Sequence, residues 1–180
     1  MKKIYIIITQ TGTRFSKLLK GITREPYNHA SICLQDDFQT FYSFGRKNPK
    51  WLLPAGLVIE NACQGVFALF AKIPCIILEK EVSEEQYQAL SQNIHYFMQH
   101  QSQYSYAILS LIFADMPFSV VQKNRFFCSQ FVAKLLNDID ISTIKSPEHM
   151  HPADFMKIEG IRPIFEGDLK MYCQPSMAHC

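Results

Sequence analysis

Arg125-Phe126-Phe127-Cys128-Ser129-Gln130-Phe131-Val132-Ala133-Lys134-Leu135-Leu136 is the stretch on which the reading of this chain turns. Cys128, Phe131, Val132 and Leu135 recur at the spacing of one helix face, with Ser129, Gln130 and Lys134 on the other. That pattern predicts an amphipathic helix over residues 127–138 with Cys128 in its first turn. A thiol placed there meets the positive end of the helix dipole and amide donors that lack intrahelical partners. Both favour the thiolate, the nucleophilic form. The same amides can stabilise the oxyanion formed when a thiolate attacks a carbonyl. The competing reading is a structural cysteine, since Cys is among the residue types most often buried.

A nucleophilic cysteine needs a base, and the base needs a polar group to orient it. Working back from Cys128, residues 28–34 read as a strand, with Ala30, Ile32 and Leu34 on one face and His29, Ser31 and Cys33 on the other. Asp36-Asp37 predicts a turn into a second strand, Phe38 to Phe44. If that hairpin pairs across the turn, Phe41 or Ser43 faces His29, and of the two only Ser43 can hold an imidazole.

Tyr27-Asn28-His29-Ala30-Ser31-Ile32 followed far downstream by Phe127-Cys128-Ser129-Gln130-Phe131-Val132 resembles the permuted branch of the NlpC/P60 papain-like superfamily. In that branch the histidine strand precedes the cysteine helix, and its members include bacterial YiiX-like proteins and lecithin:retinol acyltransferase relatives. Tyr42-Ser43-Phe44-Gly45-Arg46-Lys47 is similar to the version in small bacterial proteins of this type. The resemblance implies an α+β fold, with an antiparallel sheet or partial barrel packed against the nucleophile helix. It implies a cysteine-dependent hydrolase or acyltransferase that opens an amide or ester of a peptide or lipid through a thioester, with no cofactor. Cys128 would be the nucleophile and His29 the base. The family places a third polar residue, often His, Glu or Gln, on the strand after the histidine strand, where this chain offers Ser43. A hydroxyl is a weaker partner than a carboxylate or amide, which keeps open a non-catalytic ligand- or lipid-binding module on the same fold.

Around these segments the chain reads as alternating local signals. Residues 4–9 predict a buried strand, and Thr13 caps a helix carrying Phe15, Leu18, Leu19 and Ile22 on one face. Residues 45–65, punctuated by Gly45, Pro49, Pro54, Gly56 and Gly65, read as irregular. Strands are expected at 66–70 and 73–78. Ser83-Glu84-Glu85-Gln86 has the form of a capping box, which starts a helix over 84–100. A second apolar helix is expected over 107–114, a short one after Pro152, and loop elsewhere. Strands in the first half and helices in the second favour α+β.

Composition bounds the rest. A length of 180 residues fits one domain, 1–180, with the last ten or so residues as a loose tail. Hydrophobic residues at 48% and aromatics at 13% exclude disorder. A net charge of +2 gives no case for nucleic acid. The apolar run 4–8 is too short for a signal peptide, and 108–121 is broken by Asp115 and Pro117. That second run suits an acyl-binding groove, or a peripheral touch on a membrane, as well as a core helix. No two of the six cysteines are separated by only two residues, so a cytoplasmic protein with free thiols is expected. His149, His151 and Asp154, with His179-Cys180 at the end, are too few and too scattered for a metal site. Arg46, Lys47 and Lys50 either attract an anionic substrate group or are solvated surface. The expected partner is a small-molecule, peptide or lipid acyl substrate.

Overall fold

The computed structural model describes residues 1–10, 26–48, 54–107 and 123–173. Its centre is the β-branched run at the N-terminus, β1 (Lys2–Thr9), in which six consecutive residues are buried on both faces. Next come β2 (His29–Cys33), β3 (Phe41–Arg46), β4 (Ala55–Glu60) and β5 (Pro74–Val82). Helix α1 (Glu84–Gln99) follows, then β6 (Ser105–Tyr106), β7 (Arg125–Phe126), helix α2 (Cys128–Asn137) and β8 (Ile161–Asp168). The fold is α+β. Six strands form one antiparallel sheet in the order β4-β3-β2-β1-β5-β8, and β6 pairs with β7 in parallel.

Period-two alternation divides the apolar residues between two cores. Ile4, Ile6, Ile8, Ala30, Ile32 and Phe44 meet Leu90, Ile94 and Phe97 of α1 and Phe131, Val132 and Leu135 of α2. The opposite face packs Tyr5, Ile7, Cys33, Phe41 and Ile77 against Phe67 and Leu169. A buried carboxylate fastens the far edge. Glu79 on β5 accepts two hydrogen bonds from Arg162 on β8 and pairs with Lys3 on β1 at 3.1 Å. Arg162 first, then Lys3, hold its pKa below the ordinary carboxylate value.

Several expectations are met: β1, β2, α1 with its complete Ser83–Gln86 capping box, α2, and a 3-10 turn at Pro152–Lys157. Others are corrected. The second hairpin strand begins at Phe41, not Phe38, because Asp37 accepts the Gln39 amide and Phe38 adopts a left-handed φ of 50°. Val66 to Phe70 is not a strand; Phe67–Leu69 is a 3-10 turn that buries Phe67 and exposes Leu69. The segment read as irregular contains β4, and the expected terminal loop contains β8. Both lie at the ends of the main sheet, where Pro163 of β8 and Pro54 at the foot of β4 cost no central hydrogen bonds. The expected helices near Thr13 and over 108–114, and most of the expected tail, lie outside the described residues.

Free thiols were expected throughout, yet Cys63 and Cys173 are joined in a disulfide with their Cα atoms 5.2 Å apart. Cys33, Cys75 and Cys128 are free. Among the described residues, no helix is long and apolar enough to cross a membrane. Replacing both bridge residues, Cys63→Ser with Cys173→Ser, is expected to lower unfolding free energy by about 2–4 kcal/mol, because the bridge closes so long a loop. Urea midpoints with and without reductant measure this, and the double variant should match the reduced parent.

Candidate active site

His29 opens β2, and the first turn of α2 lies against it. The Cys128 side chain lies close enough to the imidazole to raise its pKa. The expected pair is therefore together, across 99 residues of chain. Helix α2 begins there because Phe127 takes an extended conformation, and Gln130 Oε1 accepts the Phe127 amide at 3.4 Å. No side chain caps the helix at Phe127, whose ring has no acceptor to offer. The polar face expected of this helix is not solvated. Ser129 and Gln130 are buried, and Ser129 Oγ donates to the Met150 carbonyl at 2.6 Å.

The group that orients His29 is Glu60, not Ser43. His29 Nε2 donates to both carboxylate oxygens of Glu60, each at 2.9 Å, which leaves Nδ1 for the sulfur. Ser43 is fully buried and spends its hydroxyl on the Ala30 carbonyl at 2.6 Å, so it fastens β3 to β2 instead of touching the ring. Ser31, two residues along from His29 and on the same face, donates to Glu60 Oε2 at 2.6 Å. One carboxylate thus receives hydrogen bonds from two residues of β2.

Glu60 stands on β4, and β3 lies between it and β2. Its side chain has to cross that strand, and what β3 carries there is small. A Cβ on Gly45 would stand 3.4 Å from Glu60 Oε1 and 3.7 Å from His29 Cε1. A methyl group would just fit, and anything longer would displace the pair. On the other side of the ring, Phe67 packs edge-on with centroids 6.1 Å apart.

The electrostatics follow from this packing. Burial alone would lower the pKa of His29. The Glu60 charge outweighs it, with the contacts to Cys128 and Glu60 acting in the same direction, and raises the pKa well above the ordinary histidine value. Tyr106 on β6 senses the same site. Burial, then the negative charges of Cys128 and Glu60, keep its phenol protonated far above the usual range. The remaining free thiols are inert by comparison, because burial pushes Cys33 and Cys75 up to about 12.

Tyr106 and Phe67 carry no sequence signal as site residues, and Ser31 leaves a trace by sharing the His29 face. Glu60 belongs to the irregular segment that the sequence offers as an alternative source of the group orienting His29 should Ser43 not do so. The weaker metal reading takes a different form here. Asp154 accepts the His151 amide and pairs with Lys145 and Lys157, and among the described residues no cluster of His, Cys, Asp and Glu is placed to hold a metal.

No protein-family model matches the chain, and no curated protein is significantly similar to it.

Glu60→Gln removes the charge that raises the His29 pKa, so the imidazolium should be lost at lower pH than in the parent. The alkaline limb of Cys128 alkylation against pH should therefore move to lower pH in Glu60→Gln. Ser31→Ala should shift it in the same direction by less. Ser43→Ala should leave the limb in place and cost about 1 kcal/mol of stability, the loss of a neutral hydrogen bond.

Proposed function

We propose that the protein is a cysteine-dependent hydrolase or acyltransferase with the permuted NlpC/P60 papain-like architecture, acting on an ester or amide of a peptide or lipid. The observation that carries this reading is the grouping of Cys128, His29 and Glu60, in which a carboxylate holds an imidazole beside a thiol at a helix N-terminus. The histidine strand precedes the cysteine helix in the order the resemblance implies, while the third residue, Glu60, stands on β4, one strand beyond the place the resemblance gives it.

In this mechanism the Cys128 proton passes to His29, and Glu60 balances the imidazolium that results. The thiolate attacks the carbonyl carbon, and the oxyanion is received by the Cys128 amide at the uncapped start of α2. His29 returns the proton to the departing alcohol or amine, which leaves a thioester on Cys128. Water, or a second nucleophile, then attacks the thioester. His29 takes that proton and gives it back to the sulfur as the acyl group departs. The chain's own residues supply every proton transfer.

The burial of Cys128, with 2% of its surface exposed, favours one rival, a binding module without turnover. A thiol-directed acyl probe separates the two at neutral pH, where Cys33 and Cys75 stay protonated. The enzyme reading expects rapid labelling of Cys128 that His29→Ala abolishes. Cys128→Ser should reduce ester turnover on the order of 10³-fold or more with little change in melting temperature. Labelling of Cys128 no faster than that of Cys33 would establish the binding module instead.

A further inference from the structure

Two of the neighbours that hold His29 stand beside one seam of the fold. Glu60 is the last residue of β4, and Phe67 lies in the 3-10 turn that follows it. From Asn61 to Ile73 the chain belongs to no strand, so sheet pairing does not secure it. The segment is fastened instead to the last 3-10 turn, Leu169–Cys173. Lys170 Nζ donates to the Ala62 carbonyl at 2.9 Å. Gln39, whose own carbonyl accepts from Asn61, donates to the Tyr172 carbonyl at 2.9 Å. Phe67 and Leu169 share one core. The Cys63–Cys173 bond crosses the same seam, at a point on the chain between Glu60 and Phe67.

The bridge is placed where it can be opened. Its two cysteines are half-buried, whereas the free thiols Cys33, Cys75 and Cys128 are buried. A disulfide within reach of solvent exchanges with external thiols far more readily than one enclosed in a core. Opening it leaves the seam to side-chain hydrogen bonds that each contribute little in contact with water. Glu60 sits on the terminal rung of its ladder, Phe41↔Glu60, where strands fray first. Release of the segment that follows therefore acts directly on the carboxylate and on the ring of Phe67.

We propose that the Cys63–Cys173 bridge is a redox latch on this site: closed, it holds the segment from Glu60 to Phe67 around His29, and opened by a dithiol it lets that segment go and lowers the reactivity of Cys128. The last step alone rests on the catalytic reading. In the opening reaction one thiolate of the dithiol displaces Cys63 or Cys173 from the S–S bond and forms a mixed disulfide. The second thiolate closes onto the first and releases the protein. The dithiol ends as a cyclic disulfide, and its two protons and two electrons are on the protein thiols.

The test compares the bridged protein with protein reduced by tris(2-carboxyethyl)phosphine, which takes the oxygen of water while the two protons go to the sulfurs. The phosphine is removed before measurement. With the histidine rings labelled in nitrogen-15, NMR follows the Nε2 proton that His29 shares with Glu60. Its exchange with water should quicken about tenfold or more on reduction, and oxidised glutathione should reverse the change. Acylation of Cys128 by 4-nitrophenyl acetate, read at that residue by mass spectrometry, should slow about tenfold in the reduced form, because a misplaced base costs rate. Cys63→Ser/Cys173→Ser should behave as the reduced form with or without the phosphine. Proton exchange indifferent to the bridge overturns the inference, and so does an acylation rate that stays constant while the exchange changes. If Cys128 is acylated in neither form, the catalytic reading fails and the Nε2 proton still decides the latch. Should the reduced protein unfold, Phe67→Leu in the bridged protein removes the ring that the latch secures. Faster Nε2 exchange is then expected, and an unchanged rate overturns the inference.

Discussion

A carboxylate on β4 and an imidazole on β2 meet across the strand that separates them, and this contact restricts what the intervening strand can carry. Ser43 and Gly45 share the face over which Glu60 passes. The serine is small and turned back onto the Ala30 carbonyl, and the glycine leaves little more than a methyl group's room. A slip of one residue in β3 would bring Phe44 onto that face and close the path. The β3–β4 ladder is held in register over six residue pairs from Phe41↔Glu60 to Arg46↔Ala55, so the position of the carboxylate is fixed by the sheet. Ser31 then sets its rotation. The hold of Glu60 on His29 therefore depends on the small residues that β3 carries between them.

The sequence shows some of this and hides the rest, for identifiable reasons. The helix of Cys128 and the strand of His29 are legible because each buries one face, and burial writes a period into the residues. Glu60 was hidden because β4 opens with Pro54-Ala55-Gly56 and lies at the end of the main sheet, where weak strand formers are tolerated. Ser43 was chosen by assuming that the partner of His29 must come from the adjacent strand. The pairing Ile32↔Tyr42 fixes the register of β2 with β3, but a long side chain reaches past a neighbour whose own residues are small. Reading contacts from adjacency favours short residues in the next strand over long ones in the strand beyond. Phe67 is hidden for a different reason, since an unbroken apolar run around a 3-10 turn imitates a buried strand.

The protein also separates its thiols by environment. Cys33 and Cys75 lie in the second core, where burial and nearby carboxylates raise their pKa. Cys128 sits beside an imidazole whose pKa is raised. The contrast arises from where each strand or helix ends. Cys33 closes β2 and Cys75 lies near the start of β5, whereas Cys128 stands at the start of a helix, where backbone dipoles reach it.

The bond between Cys63 and Cys173 links positions 110 residues apart, and everything from the loop after Glu60 to the last 3-10 turn lies inside the ring it closes. Both helices are within it, together with Cys128; His29 is outside, on the N-terminal arm. A protease that cuts a loop within the ring opens a circle and releases nothing, so Cys128 and His29 remain parts of one covalent molecule. A cut between His29 and Cys63 instead severs the arm, leaving the histidine strand held only by its hydrogen bonds and packing. The two halves of the cluster therefore differ in their tolerance of backbone damage, and the arm carrying His29 is the more exposed to it.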